Sequence, residues 1–446
     1  MKRPIDRPKL LRSRLVAIAC STAILTAVTP SAIGAAGQPG SDPAPVPRFT
    51  LIDVGTFGGP HAELDGPAEQ ITSRGAILGA ADTTIPDEDY PKPTGCGEPH
   101  PVLMHAFVWQ DGRLIDLGAL PGNTCSTAFE INSRGVGVGG SETGSRDALD
   151  DSPISHAVMF QDGMVRDLGT LPGGTQSSAI SINNRGEIAG FGNNGLPDPF
   201  SMLGFATQSR SFIWRDGVMT DLGTLGGPDA VMTRINERGQ ISGDSYTTNS
   251  PNPGTGVPTS HPFLWSNGRM QDLGSLGGTQ SQTMWMNDRG DVVGLSSLAG
   301  DQAQHPYLWD GRSLHDLGTF GGTYGIAWHV NDSGDAVGWA TTTGDTAIHP
   351  FLWRRGALVD LFGAGSPQCG AAYGINNRGQ IVGETCAHSA LFWSQGRQYE
   401  LNSLVGPTDV HLTEASYITD RGEIASLGLL PNGDQHVFLL TPTSRH

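Results

Sequence analysis

Lysine is almost missing from this chain. Beyond the N-terminal segment, Lys92 is the only one in 446 residues. Acidic residues outnumber Lys and Arg by 44 to 27, for a formal charge of −17. Such a surface disfavours nucleic acid and anionic lipid as partners. Amphipathic helices are missing as well, because no stretch of useful length carries apolar residues at the 3.6 period. Past the N-terminal segment no apolar run is long enough to span a bilayer. The sequence has no HExxH, no GxSxG, no Walker A motif and no CxxC, so the reactions those motifs mark have no support here, and no cofactor is expected. A single GxGxxG match, Gly135 to Gly140, has no helix pattern after it and reads as chance.

The N-terminus differs from the rest. A basic MKRPIDRPKLLRSR is followed by the apolar LVAIACSTAILTAV and then by small residues ending GAAG. This is the layout of a secretory signal over residues 1–36, with cleavage near Ala36. Thr and Ser interrupt the apolar run and Pro30 follows it, which argues against a retained anchor. The Val-Ala-Ile-Ala before Cys20 lacks the Leu expected of a lipoprotein. A Pro/Gly-rich linker follows over 37–48. The expectation is a secreted, monomeric protein with no membrane insertion after cleavage. Cys96, Cys125, Cys369 and Cys386 remain, an even number that suggests disulfides in an exported chain.

What the sequence has in quantity is glycine, 63 residues, and most of it is periodic. The heptapeptide DLGTLGG at Asp221 has copies starting at 53, 116, 167, 272 and 316, and degenerate ones at 360 and 400. An Ile-Asn-x-Arg-Gly turn recurs near 73, 133, 184, 237, 288, 332, 377 and 420, followed by an Ile-Val-Gly-type run. A His-Ala-Phe-Leu-Trp block starts at 105, 156, 210, 261, 305, 349, 389 and 436. Eight units of four short strands predict an all-β fold, an eight-bladed β-propeller over 49–440 with a tail at 441–446, and seven blades as the alternative. In each unit strand A is Ala-x-x-Ile-Asn, B the Ile-Val-Gly run, C the His-Ala-Phe block and D the segment ending in Asp-Leu-Gly. The heptapeptide then ends one outer strand and steps to the next blade. FTLIDVG at Phe49 is a D strand without its own A to C, and HVFLL at His436 a C strand without a D, so the two are expected to close one blade.

These motifs resemble the HAF-repeat family of probable extracellular repeat proteins, named for the triplet seen here as His105-Ala106-Phe107. The resemblance spans most of Phe49–Leu440 and implies export and repeats, without a defined activity. Units 2, 3 and 8 depart from it with HAVMF, RSFIW and HVFLL.

Cys96 lies in the first B–C loop and Cys125 at the entry to the second A strand, while Cys369 and Cys386 hold corresponding places around the seventh A–B hairpin. Cys96–Cys125 and Cys369–Cys386 are the expected bonds. The repeated His (105, 156, 261, 305, 349, 436) each begin their own strand C, too far apart around a ring to share a metal. A structural hydrogen bond to the Asp of Asp-Leu-Gly fits them better, and no metal site is expected. Acidic clusters at Asp87-Glu88-Asp89 and Asp147/Asp150/Asp151 have no recognisable Ca²⁺ spacing.

One position breaks the repeat. Just before the Ile-Asn pair the units read Gln70, Glu130, Ser181, Arg234, Trp285, His329, Gly374 and Tyr417. Strand A is innermost, so these side chains are candidates for the axial channel, sharing a face with the Ala two residues earlier. Glu130, His329 and Tyr417 are the candidate catalytic groups, and Gln70, Arg234, Trp285 and Trp328 the candidate ligand contacts. Trp285, Trp328 and Trp339, with Tyr324, suggest an aromatic wall. B–C loops are long in units 1 to 4 and short in units 5 to 8, which leaves one face half raised. The function expected is binding of a small molecule, glycan or peptide at that face and the channel. The alternatives are a hydrolase or lyase acting on a small metabolite, and a structural cell-surface repeat protein.

Overall fold

The computed structural model describes residues 46–443 except 65–69, 73–74, 92–95, 97–99, 123 and 149–150. The signal segment, its cleavage point and most of the linker lie outside the described residues. Eight four-stranded antiparallel blades form the ring, two of them joined into one sheet by a single parallel bridge, Gln304 to Tyr324. The innermost strands of blades 1 to 8 are Ala62–Glu63, Ser126–Ile131, Ser177–Ile182, Ala230–Ile235, Gly277–Met286, Gly321–Val330, Gly370–Ile375 and His411–Ile418. Among the described residues there is no α-helix, and hence no helix long and apolar enough to cross a membrane.

Closure is as the split repeat predicts. Phe49–Asp53 pairs antiparallel with Gln435–Pro442, in a register that sets Phe49 against Pro442 and Asp53 against Phe438. It is the outer strand of blade 8.

The third residue of each His-Ala-Phe block supplies the core: Phe107, Val158, Phe212, Phe263, Tyr307, Phe351, Leu391 and Phe438 are all 0 % exposed. The glycine of strand B makes room beneath it. A β-carbon on Gly338 would sit inside contact distance of the Ile326 carbonyl on strand A, so only glycine fits.

The Asp of the heptapeptide has two roles. It faces Nδ1 of the His that opens strand C, at 3.0 Å for His105–Asp116, 2.9 Å for His156–Asp167, His261–Asp272, His305–Asp316 and His349–Asp360, and 2.8 Å for His436–Asp53 across the closure. It also accepts the amide of the next glycine, as Asp116 does from Gly118 at 2.7 Å, where the backbone turns through φ +73°. In blade 3 Arg210 takes the place of the His and reaches Asp221 at 3.0 Å. These bonds are exposed at the carboxylate, except for His349–Asp360, whose side chains are 2 % and 14 % exposed.

The Asn of Asn-x-Arg-Gly does more than turn the chain. Its Oδ1 accepts two amides of its own turn, as Asn331 does from Ser333 and Asp335, each at 3.0 Å. Its Nδ2 donates to the matching carbonyl of the next blade. The chain of bonds runs Asn132→Asn183→Asn236→Asn287→Asn331→Asn376→Thr419, at 3.2, 3.3, 3.2, 2.8, 3.0 and 2.8 Å. One amide thus ties blades 2 to 8 together near the axis.

Both expected disulfides are present, Cys96–Cys125 and Cys369–Cys386. The two acidic loops meet at Arg146, which pairs with Asp89 and lies 4.0 Å from Asp151.

Candidate functional site

Two residues before each ladder Asn lies the position that varies. The alternation expected to carry its side chain to the Ala face does not hold. From blade 2 to blade 8 strand A has a register shift between the Ala-type residue and the variable one, at 128/130, 179/181, 232/234, 283/285, 327/329, 372/374 and 415/417. A β-bulge adds one residue per blade and re-aims the side chains that follow.

The variable residues converge. Glu130 Oε2 accepts from the Ser181 hydroxyl and, at 2.9 Å, from the Ile182 amide. Arg234 Nη1 lies 3.2 Å from Glu130 Oε1, reaching over blade 3. The Arg234 guanidinium stands 4.1 Å from the centre of the Trp285 ring. Trp285 lies 4.3 Å from the His329 ring, and Tyr417 meets His329 at 5.8 Å and Trp285 at 6.3 Å. Side chains of non-adjacent blades touch, so at this level the axis is filled. Glu130, Trp285 and Gln70 are 3, 6 and 3 % exposed. These residues fill the axis as core instead of lining an open channel.

His329 stands out within the cluster. It is 9 % exposed, and neither ring nitrogen has a hydrogen-bond partner. Burial, then the charge of Arg234, pushes its pKa down to about 3. The imidazole is neutral at physiological pH and offers one donor and one acceptor. The neighbouring Trp328 Nε1 is likewise buried without a partner. A buried polar group left unpaired costs about 1–3 kcal/mol.

The aromatic wall forms in part. Tyr324, Trp328 and Trp339 pack around the same apolar cluster of Met284, Leu295 and Ile326, with Trp339 stacked on Tyr324 at 5.3 Å and Trp328 edge-on to Tyr373 at 5.9 Å, whereas Trp285 belongs to the axial cluster.

A further group of residues carries no sequence motif. Tyr373 donates to Glu384 Oε1 at 2.7 Å, and His388 Nδ1 is 3.2 Å from Glu384 Oε2. Glu414, on the next blade, accepts from Ser416 at 2.8 Å. Burial, then the charge of Glu384, pushes Glu414 up to about 7. Tyr373 and Ser416 occupy the bulge position of their A strands. That position also varies from blade to blade, and this variation was the available signal.

The loop asymmetry is as expected in blades 1, 3 and 4, whereas the connection of blade 2 is hardly longer than those of blades 5 to 8. The B–C connections of blades 1 to 4 span 87–101, 147–152, 198–206 and 247–259, and those of blades 5 to 8 only 299–303, 343–347, 386–389 and 430–434. On the opposite face a groove of about 730 Å³ lies over blades 5 to 7. It falls where Ser333 stands in place of the turn Arg of the other blades, and its arginines face Asp291, Asp310 and Asp335.

Among solved structures the chain is similar to the β-propeller domain of the Trilobed protease from Pyrococcus furiosus, at 9 % identity and TM-score 0.43, covering 72 % of this chain and 99 % of that one. It is also similar to dipeptidyl peptidase 4 from Porphyromonas gingivalis, at 10 % identity and TM-score 0.46, covering 77 % of this chain and 56 % of that one. TolB from Acinetobacter baumannii is similar at 10 % identity and TM-score 0.34, covering 83 % and 80 %. No family model and no curated protein matches the chain.

Proposed function

We propose that the protein is an exported binding module of HAF-repeat type, with a signal at 1–36, a linker at 37–48, the propeller at 49–440 and a tail at 441–446. It takes a small, hydroxyl- or amide-bearing ligand, such as a glycan, a peptide or a metabolite, at the axis of the ring. The observation that carries this reading is His329, a neutral imidazole held against Trp285 with both nitrogens unpaired. A ligand with one donor and one acceptor would satisfy it. Binding suits the cluster better than acid–base work. Glu130 is committed to Ser181, Ile182 and Arg234, and an imidazole with a pKa near 3 is a weak base.

The test is ligand capture from the producer's medium, read by mass spectrometry, with wild type beside His329→Phe. The variant keeps a ring of similar shape and removes both nitrogens. A species retained by wild type and lost by the variant supports the site. Equal retention by the two sinks it.

The Glu384–Glu414 pair favours a second reading, hydrolysis or lyase chemistry on a small metabolite. Two carboxyls with one raised to about 7 can supply a proton donor and an acceptor. Under this reading the captured species is converted on incubation, and Glu414→Gln binds it without turnover.

A further inference from the structure

Blade 1 carries a second constellation, at the loop-face end of its innermost strand. His61 and Glu63 lie on the first strand of the blade and its approach. Asp82 lies on the second strand, and His100 ends the long B–C loop. The ligand atoms of His61, Glu63 and His100 all lie within 4.8 Å of one another. His61 Nε2 is 3.2 Å from Glu63 Oε2, and the two imidazole rings are 4.7 Å apart. Behind them His100 Nδ1 faces Asp82 Oδ1 at 3.2 Å.

Asp82 is the decisive residue. It is 0 % exposed, and neither of its carboxylate oxygens takes a well-formed hydrogen bond. A buried carboxylate without full pairing is costly unless a cation balances it. With two neutral histidines, Asp82 and Glu63 leave two negative charges facing one small space. A dication would neutralise both.

We propose that His61, Glu63 and His100 bind a divalent transition metal of the Zn²⁺ class, with Asp82 as the residue that positions His100. The donor set is two imidazoles and one carboxylate, which suits zinc-like ions, whereas Ca²⁺ and Mg²⁺ prefer oxygen alone. A buried carboxylate accepting a hydrogen bond from the Nδ1–H of a ligating imidazole fixes its tautomer and leaves Nε2 for the metal. The frame is rigid on both sides. A parallel bridge from His61 to Gln435 fastens the strand to blade 8, and Cys96–Cys125 fastens the loop that carries His100 to blade 2. A β-carbon at Gly59 would collide with Asp82, so the link into blade 1 packs directly on this carboxylate. Spacing along the sequence hides the site, because its groups come from a link, a strand and the far end of a loop.

The test uses the whole protein, stripped with EDTA and titrated with Zn²⁺ by calorimetry, then with Co²⁺ by visible spectroscopy. Wild type is expected to bind one equivalent of Zn²⁺ and to give Co²⁺ d–d absorption. His61→Ala and His100→Ala should lose both signals, and Asp82→Asn should weaken binding by about 10–100-fold. Melting of each EDTA-treated variant against EDTA-treated wild type shows whether it folds. Glu63→Gln, on the half-exposed rim, replaces any variant that does not. No stoichiometric binding by wild type overturns the site. So does unchanged binding in the folded variants, since the ion would then sit at one of the six His–Asp pairs.

Discussion

Two positions two residues apart, one in the turn that follows strand A and one near the end of that strand, behave in opposite ways. In the turn, Asn recurs in blades 2 to 7 and makes the same bond to the next blade each time. At the other, eight blades carry seven residue types besides one glycine, and the contacts run across the ring rather than around it. The first position solves a problem every blade has, how to satisfy a buried turn while gripping a neighbour. The second solves a problem only the whole ring has, how to fill its centre. Repetition therefore marks what a blade needs, and irregularity marks what the assembled ring holds.

The largest effect should come from breaking closure. A chain lacking residues up to Val54 loses the Phe49–Asp53 pairing and the Val54 amide bond to Val437, 3.0 Å long. It should lose cooperative melting altogether, and a variant that melts like the intact protein would deny that blade 8 depends on this strand. Next is the axial pair. Glu130→Ala leaves Arg234 buried beside an empty place and should cost about 3–5 kcal/mol by urea denaturation. Replacing the pair together, Glu130→Leu with Arg234→Met, should recover much of that loss. If the double variant is no better than the single, the ion pair is not what holds the axis.

The ladder comes third. Asn331→Ala orphans the Ser333 and Asp335 amides and the Asn376 carbonyl, and should cost about 2–3 kcal/mol. The same change at the exposed neighbour Asp332 should cost far less, and equal costs would contradict the ladder. The His–Asp pairs follow. His349→Ala, in the one buried pair, should cost about 1–2 kcal/mol, whereas His261→Ala, facing a half-exposed Asp272, should stay below about 1 kcal/mol. The sequence suggested the same structural His–Asp bond at all six repeated histidines. Chemical denaturation of the two variants side by side checks the difference.

The smallest effect is in pH dependence. His329 has its pKa depressed from 6.5 to about 3, so the unfolded chain takes up the proton first, and this contribution to stability is lost as pH falls from about 6.5 towards 3. Glu414 and Asp244 are raised by burial to about 7 and about 6. Here the native state takes up the proton first, so their contribution is present at low pH and lost as pH rises through those values. Melting temperature should therefore rise as pH is lowered from about 8 to about 5. Glu414→Gln should flatten the rise, and His329→Phe should steepen it. A profile unchanged by both variants would place these groups in contact with water.

The ring, its count of eight, the closing strand, the disulfides and the His–Asp bonds were legible because each is a local pattern written several times. The variable axial position was legible as a location, since it is defined by its constant flanks. Its direction was not, because the bulge before Glu130, Arg234 and His329 leaves no mark in residue type. The burial of the cluster was hidden for the same reason: no single unit records what seven others bring to the axis. The Glu384–Glu414 pair and the His61–Glu63–His100 group were invisible to motif spacing because tertiary contacts assemble them from different strands.

The split blade has a consequence in time as well as in space. Phe49–Asp53 is the first of the described strands to be made, and its partner Gln435–Pro442 the last. Until that partner arrives, one strand has no mate and the sheet of blade 8 presents an open edge, a template for pairing with other chains. Contacts this distant along the chain form slowly. Closure of the ring therefore waits for a partner nearly the whole propeller away in sequence, and the interval before it is when the molecule is most exposed to aggregation and proteolysis. A circular permutant opened in the link between Asp53 and Ala62 would bring the four strands of blade 8 together in sequence and shorten that interval.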